Sequence, residues 1–332
     1  MKDNYGRTID YMRVSITDRC NLRCKYCMPD GIEWIPMEEI LTLEEIVEVC
    51  RQAAKLGIRK IKVTGGEPLV RLGCPDLIKM LKEVPGIEQV TLTTNGVLLP
   101  KYAKELARNG LNAVNVSMDT LNEEKYAQIT GRMALKEVLR GIEVMESLGI
   151  PVKINAVPQQ IIVGGKQEGV SEEQKQEWFQ LVELARDRSL DVRFIEMMPL
   201  GHGKEFQPVS NEELLTHLRE KYGETQPESK VHGNGPAVYY KIPGFKGSIG
   251  FISAIHGKFC NQCNRIRLTS TGMIKPCLCY ADSISLKESL RAGKNEEVRA
   301  LLEQAILQKP HSHCFDKWET VTEQREMAKI GG

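Results

Sequence analysis

At 332 residues the chain is long enough for one large domain with an extension, or for two domains. Its 41% hydrophobic and 27% charged content is ordinary for a globular protein and excludes wholesale disorder. With 45 Lys and Arg against 44 Asp and Glu, the net charge of +1 gives no global case for nucleic acid or a membrane surface, so any anion site has to be local.

The polar start, Met1–Asp10, lacks the apolar run of an export signal, and no stretch approaches a membrane span, so a cytoplasmic location is expected. The 10 cysteines suit that setting, because most fall into short clusters and a chain of this size needs no disulfide staples. Cys50, Cys74 and Cys314 stand apart and are expected to be buried or incidental thiols.

Short apolar strands alternate with amphipathic helical patterns up to about residue 200, which predicts β/α units. Strands are expected at Met12–Thr17, Lys60–Thr64, Gln89–Thr93, Ala113–Ser117, Val152–Ala156 and Asp191–Glu196. A helix opens with the capping box of Thr42 and Glu45 and stops at Gly57. Further helices are expected at Asp76–Glu83, Lys101–Arg108, Leu135–Leu148, Glu173–Arg188 and Asn211–Tyr222, with a surface turn at Gly164–Gly169.

Six units cannot close an eight-stranded barrel, so the expected fold is α/β: an incomplete (β/α)6 barrel over residues 1–222 with a C-terminal extension over 223–332. In the extension Gly, Pro and Lys punctuate the chain, the alternation stops, and short strands are expected near Val238–Ile242 and Gly250–Ile255. In such barrels the site lies at the C-terminal strand ends, where the cysteine loop, Gly65-Gly66-Glu67-Pro68, Asn95, Ser117, Asp119, Asn155, Glu196 and Met198 all fall.

Cys20-x-x-x-Cys24-x-x-Cys27 follows the first strand. A structural zinc site is closed by four ligands in paired spacing, whereas three thiolates leave one iron of a [4Fe–4S] cluster open. Gly65-Gly66-Glu67-Pro68 is by itself a tight turn, in which two glycines let backbone approach a ligand and Glu67 can accept from an ammonium. A second group is Cys260-x-x-Cys263 and Cys277, with Cys279 close behind. Four thiolates there could hold zinc. The first group, and Arg265 and Arg267 on one face of an extended segment, favour instead a second cluster beside a phosphorylated substrate.

The cysteine loop with Gly65-Gly66-Glu67-Pro68 resembles the radical S-adenosylmethionine (SAM) superfamily. The run Cys20-Asn21-Leu22-Arg23-Cys24-Lys25-Tyr26-Cys27-Met28-Pro29, with Cys263-Asn264-Arg265-Ile266-Arg267 and the terminal Gly331-Gly332, resembles the GTP 3′,8-cyclase family within it. These lyases open molybdenum cofactor biosynthesis. The resemblance runs from Arg13 to the last residue.

The resemblance implies two [4Fe–4S] clusters, one on Cys20, Cys24 and Cys27 and one on Cys260, Cys263 and Cys277. It places SAM at Tyr26, Gly66, Ser117 and Met198, and GTP at Arg13, Lys62, Thr93, Lys153, Arg265 and Arg267. Lys62 stands where the family often has arginine, which keeps the charge and loses the bidentate fork. Cys279 is left as a bystander, since ligation would occupy the iron that binds guanine. Arg265, Arg267, Gly331 and Gly332 would act in catalysis, with the two glycines threading into the site. In the reaction the resemblance implies, a 5′-deoxyadenosyl radical takes hydrogen from C3′ of GTP, and the C3′ radical attacks C8 to give a 3′,8-cyclised dihydro nucleotide. Implied partners are a low-potential electron donor, cyclic pyranopterin monophosphate synthase, which takes the product, and a second copy in a homodimer.

Two rivals share part of the pattern. A peptide-modifying radical SAM maturase typically carries a longer, more cysteine-rich C-terminal region. A zinc or iron–sulfur protein that binds nucleic acid calls for a basic surface and no SAM motif.

Overall fold

The computed structural model describes residues 1–31, 35–160, 170–230 and 232–331. The turn expected at Gly164–Gly169 and the last residue, Gly332, lie outside them. The chain runs through β1 (Tyr11–Ser15), α1 (Leu43–Lys55), β2 (Lys60–Thr64), α2 (Cys74–Lys82), β3 (Gln89–Thr94), α3 (Leu99–Arg108) and β4 (Ala113–Ser117). Next come α4 (Glu123–Thr130), α5 (Leu135–Ser147), β5 (Val152–Ala156), β6 (Gln159–Gln160), α6 (Glu172–Glu183), β7 (Asp191–Ile195), β8 (Gln207–Pro208) and α7 (Asn211–Tyr222). The remainder holds β9 (Gln226–Pro227), β10 (Val238–Lys241), β11 (Ile249–Ile252), β12 (Arg265–Leu268), β13 (Met273–Lys275), β14 (Ile284–Ser285), α8 (Lys287–Arg291) and α9 (Asn295–Leu307).

Helix α1 starts where its capping box dictates. The Thr42 hydroxyl accepts from the Glu45 amide at 3.1 Å, and the Glu45 carboxylate accepts from the Thr42 amide at 2.8 Å. Its apolar stripe, including Ile46, Val49, Cys50 and Ala53, is buried against the sheet. Helix α4 breaks the simple alternation, since it and α5 both fall between β4 and β5.

Among the described residues twelve strands form one open sheet in the order β14-β13-β12-β1-β2-β3-β4-β5-β7-β11-β10-β9. The pairings from β12 through β1, β2, β3, β4, β5 and β7 to β11 are all parallel. The six strands of the β/α units are thus flanked at each edge by a strand from beyond residue 222, β12 beside β1 and β11 beside β7. The change of texture after α7 is therefore not a break in the sheet.

The two faces of these strands differ. Met12 and Val14, Ile61 and Val63, Val90 and Leu92, Val114 and Val116, and Ile266 and Leu268 sit in the main hydrophobic core. The alternate positions are Arg13, Lys62, Thr91 and Thr93, Asn115 and Ser117, Lys153 and Asn155, Asp191 and Arg193, and Arg265 and Arg267. The register aligns them, with Arg13 opposite both Lys62 and Arg267. A barrel interior is ordinarily packed with branched apolar side chains. A polar, cationic interior is built to hold something other than itself.

A smaller cluster of Leu200, Leu278, Cys279, Phe315, Val321 and Ile330 packs the C-terminal segment back onto the molecule. Among the described residues no helix is long and apolar enough to cross a membrane.

Candidate active site

A cavity of about 330 Å³ opens at the C-terminal ends of the parallel strands. Cys20, Cys24 and Cys27 line it, and so do Cys260, Cys263 and Cys277, 240 residues away in sequence between their first members, Cys20 and Cys260. Tyr26, Gly66, Ser117, Met198, Arg13, Thr93, Arg265 and Arg267 share its wall. Lys62 and Lys153 are not on the wall. Lys62 is buried and Lys153 is ion-paired with Asp191.

Burial, followed by the neighbouring Cys27, Asp119 and Cys20, holds the Cys24 thiol well above its ordinary value. Burial and then Cys20 and Glu326 push Cys27 up to about 12. Three crowded thiols in an apolar wall resist ionisation unless a cationic centre joins them. N–H donors point at thiol sulfurs in both groups: Leu22 N to Cys20 Sγ at 3.4 Å, and His313 N to Cys260 Sγ at 3.3 Å. Such donors suit sulfurs that carry negative charge, as cluster ligands do. Burial alone would raise Cys263 too, but Arg265 and Lys309 beside it hold it at about 6. Among the described residues no three such donors already close round a single metal ion; the chemistry of the first set fits a thiolate-bound cluster.

The loops at the strand ends are latched by buried carboxylates. Glu67 accepts from the Thr94 hydroxyl at 2.7 Å, Leu69 N at 3.0 Å and Asn95 N at 2.6 Å. Burial nevertheless raises it to about 7. It is absent from the cavity wall, which corrects the expectation that Glu67 meets a ligand ammonium: its oxygens tie the loop after β2 to the loop after β3. Gly66 has a packing reason as well, because a Cβ there would stand 2.5 Å from the Asp18 and Arg19 carbonyl oxygens. Glu196 is likewise a latch, accepting from Ile255 N at 2.7 Å, His256 N at 3.1 Å and His256 Nδ1 at 3.0 Å. Asp119 accepts from the Tyr26 hydroxyl and from Val157 N, both at 2.8 Å, so it fixes the aromatic ring of the cysteine loop. Asn95 donates to Asn21 Oδ1 at 2.7 Å, and Asn155 accepts from Arg193 at 2.5 Å.

Arg193 escaped the sequence reading, although its alternation with Asp191 on an otherwise apolar strand is a legible signal. With Arg13 and Lys153 it presses on Lys62, whose pKa burial first and these cations second hold well below the ordinary value. Arg267 is lowered the same way, by burial and then by Arg13 and Arg265. Lys309 and His313, on the segment after α9, were missed because their nearness to the second thiol group is purely tertiary. Gly331 lies against Ser15, where its carbonyl accepts from Arg267 at 3.2 Å. Cys279 is off the wall, with its sulfur 3.0 Å from that of Cys314.

Comparison with known proteins gives this geometry a lineage. The Radical SAM superfamily model matches residues 14–174, and the Molybdenum Cofactor Synthesis C model matches residues 190–315. A GTP 3′,8-cyclase of Clostridium perfringens is 44% identical over 334 aligned positions, covering all of both chains. The chain belongs to the GTP 3′,8-cyclase family. Its relative of that name from Petrotoga mobilis is 42% identical, again over the full length of both chains. The family's fold recurs in Streptococcus suis SuiB bound to S-adenosylmethionine, at a TM-score of 0.62 with 15% identity, covering 97% of this chain and 77% of that one. As a cyclase-family member the chain has an α/β radical SAM fold with an open sheet.

Proposed function

We propose that this chain is a radical SAM GTP 3′,8-cyclase catalysing the first step of molybdenum cofactor biosynthesis. The observation that carries the reading is the juxtaposition in one cavity of two three-thiol groups with the cationic strand face between β12 and β7. Cys20, Cys24 and Cys27 would hold the SAM cluster, and Cys260, Cys263 and Cys277 a second cluster that receives the base of GTP. When bound, cluster and SAM would supply a carbon radical able to take hydrogen from C3′ of GTP, the chemistry that 3′,8-cyclisation needs.

The chain's own part is binding, orientation and shielding. Tyr26, steadied by Asp119, would contact SAM together with Gly66, Ser117 and Met198. Arg13, Thr93, Arg265 and Arg267 would reach the triphosphate from the wall, with Lys62, Lys153 and Arg193 adding charge from off the wall. Desolvated cations this close repel one another, and a polyanion among them relieves the repulsion. Fixing the triphosphate and the base at separate points sets the ribose between them, where small displacements are costly in rate. Gly331, bonded to Arg267, would bring the C-terminal tail to the same place and help exclude water.

The decisive test is 5′-deoxyadenosine formation by anaerobically reconstituted, reduced protein given SAM, with and without GTP. Strong dependence on GTP with a 3′,8-cyclised product is expected. SAM cleavage indifferent to GTP would overturn the substrate assignment and favour a peptide-modifying role, and zinc in place of iron and sulfide would overturn the radical chemistry as well.

A further inference from the structure

Lys309 is 4% exposed, yet no carboxylate among the described residues pairs with it. Its ammonium donates instead to the carbonyl oxygens of Arg265 and Pro276, each at 2.8 Å. Arg265 lies two residues beyond Cys263, and Pro276 immediately precedes Cys277. One side chain thus joins the two stretches of backbone that carry the second thiol group, β12 with the turn before it and the end of β13. The same segment continues the clasp, since His313 N donates to Cys260 Sγ and Arg7 bridges the carbonyls of Cys260, Pro310 and His311. A buried ammonium with no carboxylate partner calls for a nearby negative charge. The three thiols at this end of the cavity can supply it once they hold iron.

We propose that Lys309 is a positioning residue for the second cluster: it ties the two halves of the ligand set together and places a fixed positive charge beside that cluster, which favours its reduced form. The inference rests on the second-cluster reading of Cys260, Cys263 and Cys277. An added electron makes a thiolate-bound cluster more negative, so a fixed cation close by favours the reduced form and raises its potential.

The test uses the full chain with Cys20, Cys24 and Cys27 all changed to Ser, so that only the second group can assemble a cluster. Iron and sulfide are counted after anaerobic reconstitution, and the cluster is titrated with dithionite under electron paramagnetic resonance. A parent that loads no cluster would sink the second-cluster reading itself, and this proposal with it. Given a loaded parent, Lys309→Met is expected to lower the iron yield and shift the midpoint potential downward, with Lys309→Arg restoring both toward the parent. Lys309→Gln keeps donors for the carbonyls without the charge. It decides the case if Lys309→Met fails to fold or load, and is expected to load well at a lowered potential. A parental potential in Lys309→Gln, or full iron at parental potential in Lys309→Met, would overturn the assignment.

Discussion

Arg267 condenses the chemistry of the site into one residue. It stands on a strand whose other face is fully apolar, it is crowded by Arg13 and Arg265, and its guanidinium reaches the carbonyl of Gly331. Such a group gains little from its neighbours and much from a phosphate, which its planar fork matches. Arg267→Ala is therefore expected to weaken GTP binding roughly ten- to a hundredfold, the loss of about 1.5–3 kcal/mol typical of a charged hydrogen bond. Calorimetric titration with GTP in the absence of SAM, beside an iron count that stays at the parental value, checks this; unchanged affinity refutes it. Arg265→Ala should act similarly but less cleanly, because Arg265 also holds the Cys263 thiol low. Lys62, Lys153 and Arg193 do not line the cavity, and their removal is expected to change affinity through field more than through contact.

Among the elements, the loops after the strands decide the site, and they are built to be stiff. Gly65 and Gly66 have no room for a side chain because the main chain of residues 17 to 19 passes within 2.6 Å of where each Cβ would stand. Gly66→Ala should push the cysteine loop off its seat. The expected result is loss of the iron bound by Cys20, Cys24 and Cys27 with the second group still loaded, read by iron content and resonance spectra. Parental iron and turnover in Gly66→Ala would show that the loop tolerates the shift. Sequence reasoning found these glycines through the motif, but assigned them to ligand approach and Glu67 to a ligand ammonium. The structure spends Glu67 on Thr94, Leu69 and Asn95 instead. Strand and helix positions were legible because apolar period and caps are local. Helix α4 was passed over, its eight residues, Glu123–Thr130, burying only Tyr126 and Thr130, and so were α8 (Lys287–Arg291) and α9 (Asn295–Leu307).

For the whole molecule, the C-terminal segment packs back beside the open sheet through Phe315, Val321 and Ile330. Its anchor is buried: Lys275 on β13 pairs with Glu323, which also receives Arg325. Burial would raise the Glu323 carboxyl, but the bonds from Arg325 and Lys275 outweigh it and hold it at about 2. A carboxyl depressed from its ordinary 4.5 contributes stability that is present above that value and lost as pH falls toward about 2. Glu323→Ala strands Lys275 in the core. It should cost about 3–5 kcal/mol at neutral pH and remove this group's share of the acid-induced loss, both visible in thermal unfolding followed across pH. An acid limb identical to the parent's would mean that Glu323 does not carry it. Removing Gly331 and Gly332 should impair turnover far more than cluster loading, as measured by product formation against iron content. Full activity in the shortened chain would mean that the tail is only an end.

The sequence by itself determined the β/α alternation, both thiol groups, the glycine loop and the arginines of Arg265–Leu268, because these signals are local spacings that need no knowledge of the fold. Only the tertiary structure decided what those signals share. Parallel pairing of β12 with β1 and of β11 with β7 makes the last third of the chain part of the same sheet. Strand register then turns scattered basic residues, Arg193 among them, into a single cationic face, and the return of the chain after α9 sets Lys309 against the second group of thiols. Those contacts join residues from 33 to 254 positions apart, and packing, not local spacing, selects them.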